Sequence, residues 1–259
     1  MLTGCALLDW EDMETAKEIG FDYAEFMGKY LVSLCDREFE KLRDEAERLQ
    51  LPVLGINGYC PPEIKIAGIG FDPEAVRSYA QKCAQKAGML GARFVGIGSP
   101  NSRNLPRGFS RVEAMRQLKE FLKITAEEFA PCGITVCLEP LAPCYCNFIN
   151  FLPEAAAVIE DLNQENIRVV ADFYNMEYVR EADLNLKPWI NTIAHIHTSD
   201  DDGAPNQRAF LNPDKEVIHR RRIRELYAAG YQGAVSLELD MRLDRERAAR
   251  SLEIMHLPD

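Results

Sequence analysis

Apolar positions along this chain follow two periods in turn. Short runs recur as LTGCAL, FDYAEFM, VLGINGY, RFVGIGS, TVCLEPL, RVVADFY, TIAHIHTS and AVSLELD. They are rich in small, β-branched and aromatic residues and have the length of strands. Between them lie longer segments with apolar residues three and four apart and charges elsewhere, such as DREFEKLRDEAERLQ, DPEAVRSYAQKCAQKAGML and RVEAMRQLKEFLKITAEEFA. That spacing predicts amphipathic helices. Glycines precede several strands, in EIGFDYAEF, MLGARFVGI, PCGITVCLE and AAGYQGAVSLE, where a left-handed turn after a helix needs them.

Eight strand–helix units in 259 residues predict a (β/α)8 barrel, a TIM barrel, as a single domain over residues 1–259. A doubly wound open sheet would favour a glycine-rich phosphate loop after its first strand. CALLDWEDM stands there instead. The longest irregular stretch runs from Thr198 to Val217, a length that marks a functional or disordered loop.

Side chains alternate along a strand, so each run has two faces. Glu139 shares a face with Thr135 and Cys137, Asp172 with Val170, His197 with His195, and Glu238 with Ser236. The opposite faces are aliphatic and suit the helix layer. Glu139, Asp172, His197 and Glu238 are therefore expected to point into the barrel near the C-terminal ends of strands five to eight, where active sites of this fold lie. Cys5, Glu25, Asn57 and Ser99 are read as inward-facing ends of the first four strands. Three carboxylates and an imidazole in one small cavity would force some carboxylates to stay protonated unless a cation joins them. Three oxygens and one nitrogen suit one Mn²⁺ or Mg²⁺, with Co²⁺ an option and Zn²⁺ less suited. Structural uses remain open beside this one: Asp172 as a helix cap, Glu139 as a loop acid, Glu238 as an arginine's partner. His195 reads as a core histidine behind the ligands rather than a ligand.

The chain is 47% hydrophobic and 27% charged, enough for a large core, with a net charge of −11. That balance opposes nucleic-acid binding, which depends on Lys and Arg neutralising phosphates. No apolar run is long enough to span a membrane, and acidic residues come too early in MLTGCALLDWEDMETAKEIG for a signal peptide. Eight cysteines without a CxxC pair fit reduced thiols. The expectation is a cytoplasmic protein with a small-molecule partner, no nucleic acid and no membrane, and a homo-oligomer as an option.

The motifs LEPLAPCYCNFIN, ADFYNM, AHIHTSD and GYQGAVSLEL resemble those of the xylose-isomerase-like barrels, the sugar phosphate isomerases and epimerases. The pattern is most similar to that of ketose 3-epimerases of the tagatose or psicose type. The resemblance runs over nearly the whole chain and is specific from the fifth strand on. It implies that Glu139, Asp172, His197 and Glu238 hold one divalent metal and that Glu139 and Glu238 act as the acid/base pair. It also implies substrate contacts. Tyr145 stands where these enzymes carry a second glutamate and Asn175 where they carry a histidine. Their arginine past the metal histidine falls in a stretch reading DDDGAPNQR, where Arg208 is the candidate. Asn57 joins the substrate-binding candidates from its strand end.

The implied chemistry is isomerisation or epimerisation of a sugar derivative by proton transfer next to a carbonyl. A metal-dependent dehydratase or lyase on a hydroxy or keto acid, and a non-catalytic sugar-binding protein, are the alternatives. A DNA-repair endonuclease of the same superfamily is disfavoured by four histidines and the negative charge. Arg103 and Arg107, in GSPNSRNLPRGF, are expected either to hold an anion or to be solvated. Cys144 and Cys146 are read as packing residues.

Overall fold

The computed structural model describes residues 1–203 and 207–256. Helices end as the glycines require. Gly91 takes φ 77° after Pro73–Leu90 and Gly230 takes φ 86° after Glu216–Ala228, so the chain reverses and enters the next strand. The other predicted helices span Asp36–Leu49 and Arg111–Phe129, within a residue or two of the expected ends. Asp72 and Ser110 start two of them by accepting a backbone N–H.

The strands are β1 (Leu2–Leu7), β2 (Tyr23–Met27), β3 (Val53–Asn57), β4 (Phe94–Ile97), β5 (Thr135–Leu138), β6 (Ile167–Asp172), β7 (Ile193–Thr198), β8 (Asp200–Asp201), β9 (Arg208–Ala209) and β10 (Ala234–Leu237). All but β8 and β9 pair in parallel and close into an eight-stranded barrel, β10 pairing with β1 and β7. The fold is the (β/α)8 barrel. The alternation of faces is visible in the packing: Val136, Leu138, Val169, Ala171 and Val235 join the large core under the helices. Cys137, Val170 and Ala234 join Tyr23, Leu54 and Phe94 in a small cluster inside the barrel.

Register sets the site. Asp172 pairs with His197, and His197 with Ser236, so three neighbouring strands end level. Two irregularities interrupt the ladder, between Ala24 and Glu25 on β2 and between Val169 and Val170 on β6. Among the described residues of the long stretch after β7, β8 and β9 form an antiparallel ribbon that pairs Asp201 with Arg208. Residues 204–206, in the stretch DDDGAPNQR, lie outside the described residues. Cys5 departs from expectation. It packs in the outer core, while Gly4 abuts Tyr23 inside the barrel and Ala6 lines the cavity. No described helix is long and apolar enough to cross a membrane.

Candidate active site and metal centre

Glu139 and Glu238 each follow the last residue of a strand by one position, and backbone bonds fix them there. Glu139 N–H donates to Ile97 O at 3.2 Å, and Glu238 N–H to Thr198 O at 3.1 Å. Gly98 leaves the space that Glu139 needs, since a Cβ there would lie 2.5 Å from Glu139 Oε2. Asp172 ends β6 and caps the helix Phe173–Tyr178, its Oδ1 accepting from Tyr174 N–H at 2.9 Å. The cap and the inward carboxylate are thus the same side chain, one oxygen to each use.

The four residues converge. Ligand atoms of Glu139, Asp172, His197 and Glu238 all lie within 4.8 Å of one another. His197 Nδ1 sits 3.5 Å from Glu139 Oε1 and 3.3 Å from Glu238 Oε2, without a well-directed hydrogen bond. Arg208 closes the group. Its guanidinium is 2.6 Å from Asp172 Oδ2 and 2.9 Å from Glu238 Oε2, and lies over the Tyr174 ring at 4.7 Å. The arginine-partner reading of Glu238 is therefore also realised. With all three carboxylates ionised and His197 neutral, as metal ligation requires, one guanidinium leaves an excess of two negative charges, which a dication would balance. The cluster is a metal-capable site by its donor set and its charge.

Burial sets the titration of these groups against their neighbours. It drives the Glu238 carboxyl up to about 7, with Arg208 and His197 opposing and the other carboxylates adding to the rise. Burial also resists the charge on Asp172 and His197. Arg208 nevertheless holds Asp172 below its ordinary value, and the Glu238 and Glu25 carboxylates hold His197 well above its own.

A cavity of about 220 Å³ opens onto this cluster, lined by Asn57, Ser99, Glu139, Tyr145, Arg208 and Glu238 among others. Asn57 Nδ2 donates to Glu238 Oε1 at 3.3 Å. Tyr145, half-buried, faces the cavity next to Arg208. Asn175 stands elsewhere. It is buried behind the carboxylates, its Oδ1 accepting from Ala142 N–H at 2.9 Å and its Nδ2 donating to Asp172 at 2.6 Å and to Glu139 at 3.3 Å. With both ends used, it holds the two acids and is absent from the cavity wall. His195 lies beneath the cavity, stacked on Phe94 at 3.9 Å with its Nε2 2.7 Å from Glu25 Oε1.

Arg103 fits neither of its expectations. It is wholly buried and donates to the carbonyls of Ile97, Glu139 and Ile149, tying together the loops that carry Glu139. Arg107 is exposed. Cys146 is buried as expected, whereas Cys144 is exposed. Lys29 was not foreseen at the cavity. It lines the mouth from just past β2 and is exposed there.

A family model described as "Xylose isomerase-like TIM barrel" matches residues 13–256. The chain belongs to the xylose isomerase-like TIM barrel family. It is similar to 3-dehydro-D-guloside 4-epimerase of Escherichia coli (strain K12), with 25% identity over 243 residues, covering 88% of this chain and 86% of the relative. Among solved structures it resembles 3-keto-D-glucoside 4-epimerase from E. coli, with a TM-score of 0.74, 21% identity and 98% of both chains covered. It also resembles D-psicose 3-epimerase with D-tagatose from Clostridium cellulolyticum H10, with a TM-score of 0.78, 16% identity and 98% of both chains covered. Identities this low carry the fold; the reading of this xylose isomerase-like site rests on its own residues.

Proposed function

We propose that this chain is a divalent-metal-dependent epimerase that inverts a carbon next to the ketone of a keto sugar or keto glycoside. The broader activity, a sugar epimerase or isomerase, follows the named relatives: 3-dehydro-D-guloside 4-epimerase and D-psicose 3-epimerase both denote inversion beside a ketone. The observation that carries the finer reading is the placement of Glu139 and Glu238 on the wall of one cavity, with His197 Nδ1 within 3.5 Å of both. An inversion by proton transfer needs two such groups, one for each face of the reacting carbon.

A divalent cation held by Glu139, Asp172, His197 and Glu238, Mn²⁺ or Mg²⁺ by the oxygen-rich donor set, would supply Lewis acidity to the substrate's carbonyl. The protein's groups do the rest. One glutamate removes the proton from the carbon beside the ketone, and the other returns a proton to the opposite face; each transfer is worth ~10²–10⁴-fold when the group is well placed. Asn57 and Asn175 orient these two acids by their amide hydrogen bonds to Glu238 and Glu139. Arg208 and Tyr145 contact the substrate's oxygens and cover its ring face. Lys29 at the mouth offers a cation to an acidic or hydroxylated substituent, which favours a substituted keto sugar over a free ketohexose. A cytoplasmic location completes the reading, since eight cysteines suit a reducing compartment.

The test is a set of free ketoses, sugar acids and 3-keto glycosides incubated with the Mn²⁺-loaded protein and followed by NMR. The expected result is a product inverted only at the carbon beside the ketone, formed fastest from a keto glycoside or acid. Loss of water instead of inversion, or no reaction across the set, would overturn it.

A further inference from the structure

Glu25 is wholly buried on β2, one layer below the cavity, and takes no part in the proposed proton transfer. Its Oε2 lies 3.2 Å from His197 Nε2, and its Oε1 lies 2.7 Å from His195 Nε2. Ser236 Oγ donates a short hydrogen bond to the same Oε1, and Tyr23 pairs with Ser236 at 2.7 Å. A carboxylate in a barrel interior costs several kcal/mol unless its oxygens are satisfied, and these are.

The backbone is built to admit this group. A Cβ on Gly55 would lie 2.4 Å from Glu25 Cγ, and one on Gly4 would lie 2.3 Å from the Tyr23 ring. Neither glycine adopts a left-handed conformation, so each supplies space alone. The two breaks in strand register fall at Ala24/Glu25 and at Val169/Val170, whose partners on β7 step from Ile193 to His195. Bulges re-aim side chains at such places.

His197 faces two ways. Nδ1 looks at Glu139 and Glu238, while Nε2 looks at Glu25. An imidazole that gives a lone pair from one nitrogen carries its hydrogen on the other, and an ionised carboxylate can only accept. We infer that Glu25 is a positioning residue for the metal centre: by accepting the Nε2–H of His197, it holds the ring in the tautomer whose Nδ1 lone pair faces Glu139, Asp172 and Glu238. The inference rests on the proposed metal site. His195, stacked on Phe94 and edge-on to His197 at 4.7 Å, limits rotation of the ring.

Calorimetric titration of metal-free wild type and Glu25→Gln with Mn²⁺ tests it. Glutamine keeps the shape but its amide can donate as well as accept, so the tautomer is no longer imposed. The expected result is a dissociation constant raised about 10- to 100-fold, as for other groups that orient a metal-bound histidine. Ser236→Ala, which removes a donor from Glu25 without touching His197, is expected to change it by less than about threefold. Equal Mn²⁺ affinity in wild type and Glu25→Gln would overturn the inference and leave the metal site standing. Absence of Mn²⁺ binding in wild type would remove the site itself. Long-range ¹H–¹⁵N spectra of Mg²⁺-loaded wild type decide the point even if the variant does not fold. The hydrogen of His197 is expected on Nε2; finding it on Nδ1 would refute the assignment.

Discussion

Replacing Arg208 by methionine should destabilise the metal-free protein and tighten Mn²⁺ binding at once. The guanidinium lies 2.6 Å from Asp172 Oδ2 and 2.9 Å from Glu238 Oε2, with a side-chain exposure of 7%. Unit charges 4 Å apart attract by about 4 kcal/mol at an effective dielectric constant of 20. The guanidinium's own desolvation offsets part of this, yet removing one partner of a buried pair still costs about 3–5 kcal/mol, because the carboxylates stay behind unpaired. One kcal/mol moves the melting temperature of a domain this size by ~2–4 °C, so the metal-free variant should melt roughly 6–20 °C below wild type. Binding of a dication has the opposite sign. Methionine no longer competes for Asp172 and Glu238, and a gain of about 1.4 kcal/mol would already be a tenfold tighter dissociation constant. Thermal melts in EDTA and in Mn²⁺, with calorimetric titrations of the same samples, read both effects. Mn²⁺ should recover more melting temperature in the variant than in wild type. A metal-free variant that melts within about 2 °C of wild type and binds Mn²⁺ no more tightly would refute the placement of Arg208 among the carboxylates.

Glu139→Gln and Glu238→Gln should each lower turnover by at least ~10²-fold with the fold retained by circular dichroism; near wild-type turnover in either would remove it from the acid/base pair, and metal content of both samples separates lost ligation from lost proton transfer. Gly98→Ala should lower turnover by more than about tenfold, because its Cβ would meet Glu139 Oε2 at 2.5 Å; an unchanged rate constant would show that Glu139 does not work from this position. Asp200 is 2% exposed, and although burial resists its charge, His219, Asn212 and Lys215 hold its carboxyl at about 2. A depressed carboxyl stabilises the fold above its unfolded value and loses that contribution as pH falls, here between about 4 and about 2. Asp200→Asn should therefore cost about 2 kcal/mol at pH 7 and flatten the stability curve across that window, as denaturant titrations would show.

The barrel was readable because its signals are local and repeated. Val136, Leu138 and Val169 alternate with Cys137 and Val170, and the two faces separate into outer and inner cores. Glu139, Asp172, His197 and Glu238 stood out because each lies at the end of its strand on the inner face, and parallel register brings strand ends level. Other groups depend on geometry that no short pattern encodes. Cys5 was assigned to the wrong face, since one strand's phase is ambiguous when both faces are small and apolar. Asn175 sits in the first turn of a helix, and only the direction of that turn decides whether it meets the cavity or the back of the acids. Arg103 was expected either to hold an anion or to be solvated, but the loop folds so that its buried guanidinium donates to the carbonyls of Ile97, Glu139 and Ile149. Glu25 was read as inward-facing and is so, but its contact with His197 and the space that Gly55 leaves for it are not announced by alternation.

Solvent deuterium at the carbon beside the ketone tests the central claim most directly. The EDTA-treated protein and the same sample reloaded with Mn²⁺ would be incubated in D₂O with the best keto sugar or keto glycoside and followed by ¹H NMR. The account expects deuterium at the inverted carbon only in the Mn²⁺-loaded sample, and no inverted product from Glu139→Gln or Glu238→Gln. Inversion without exchange at that carbon, or equal exchange in the EDTA-treated protein, would contradict it.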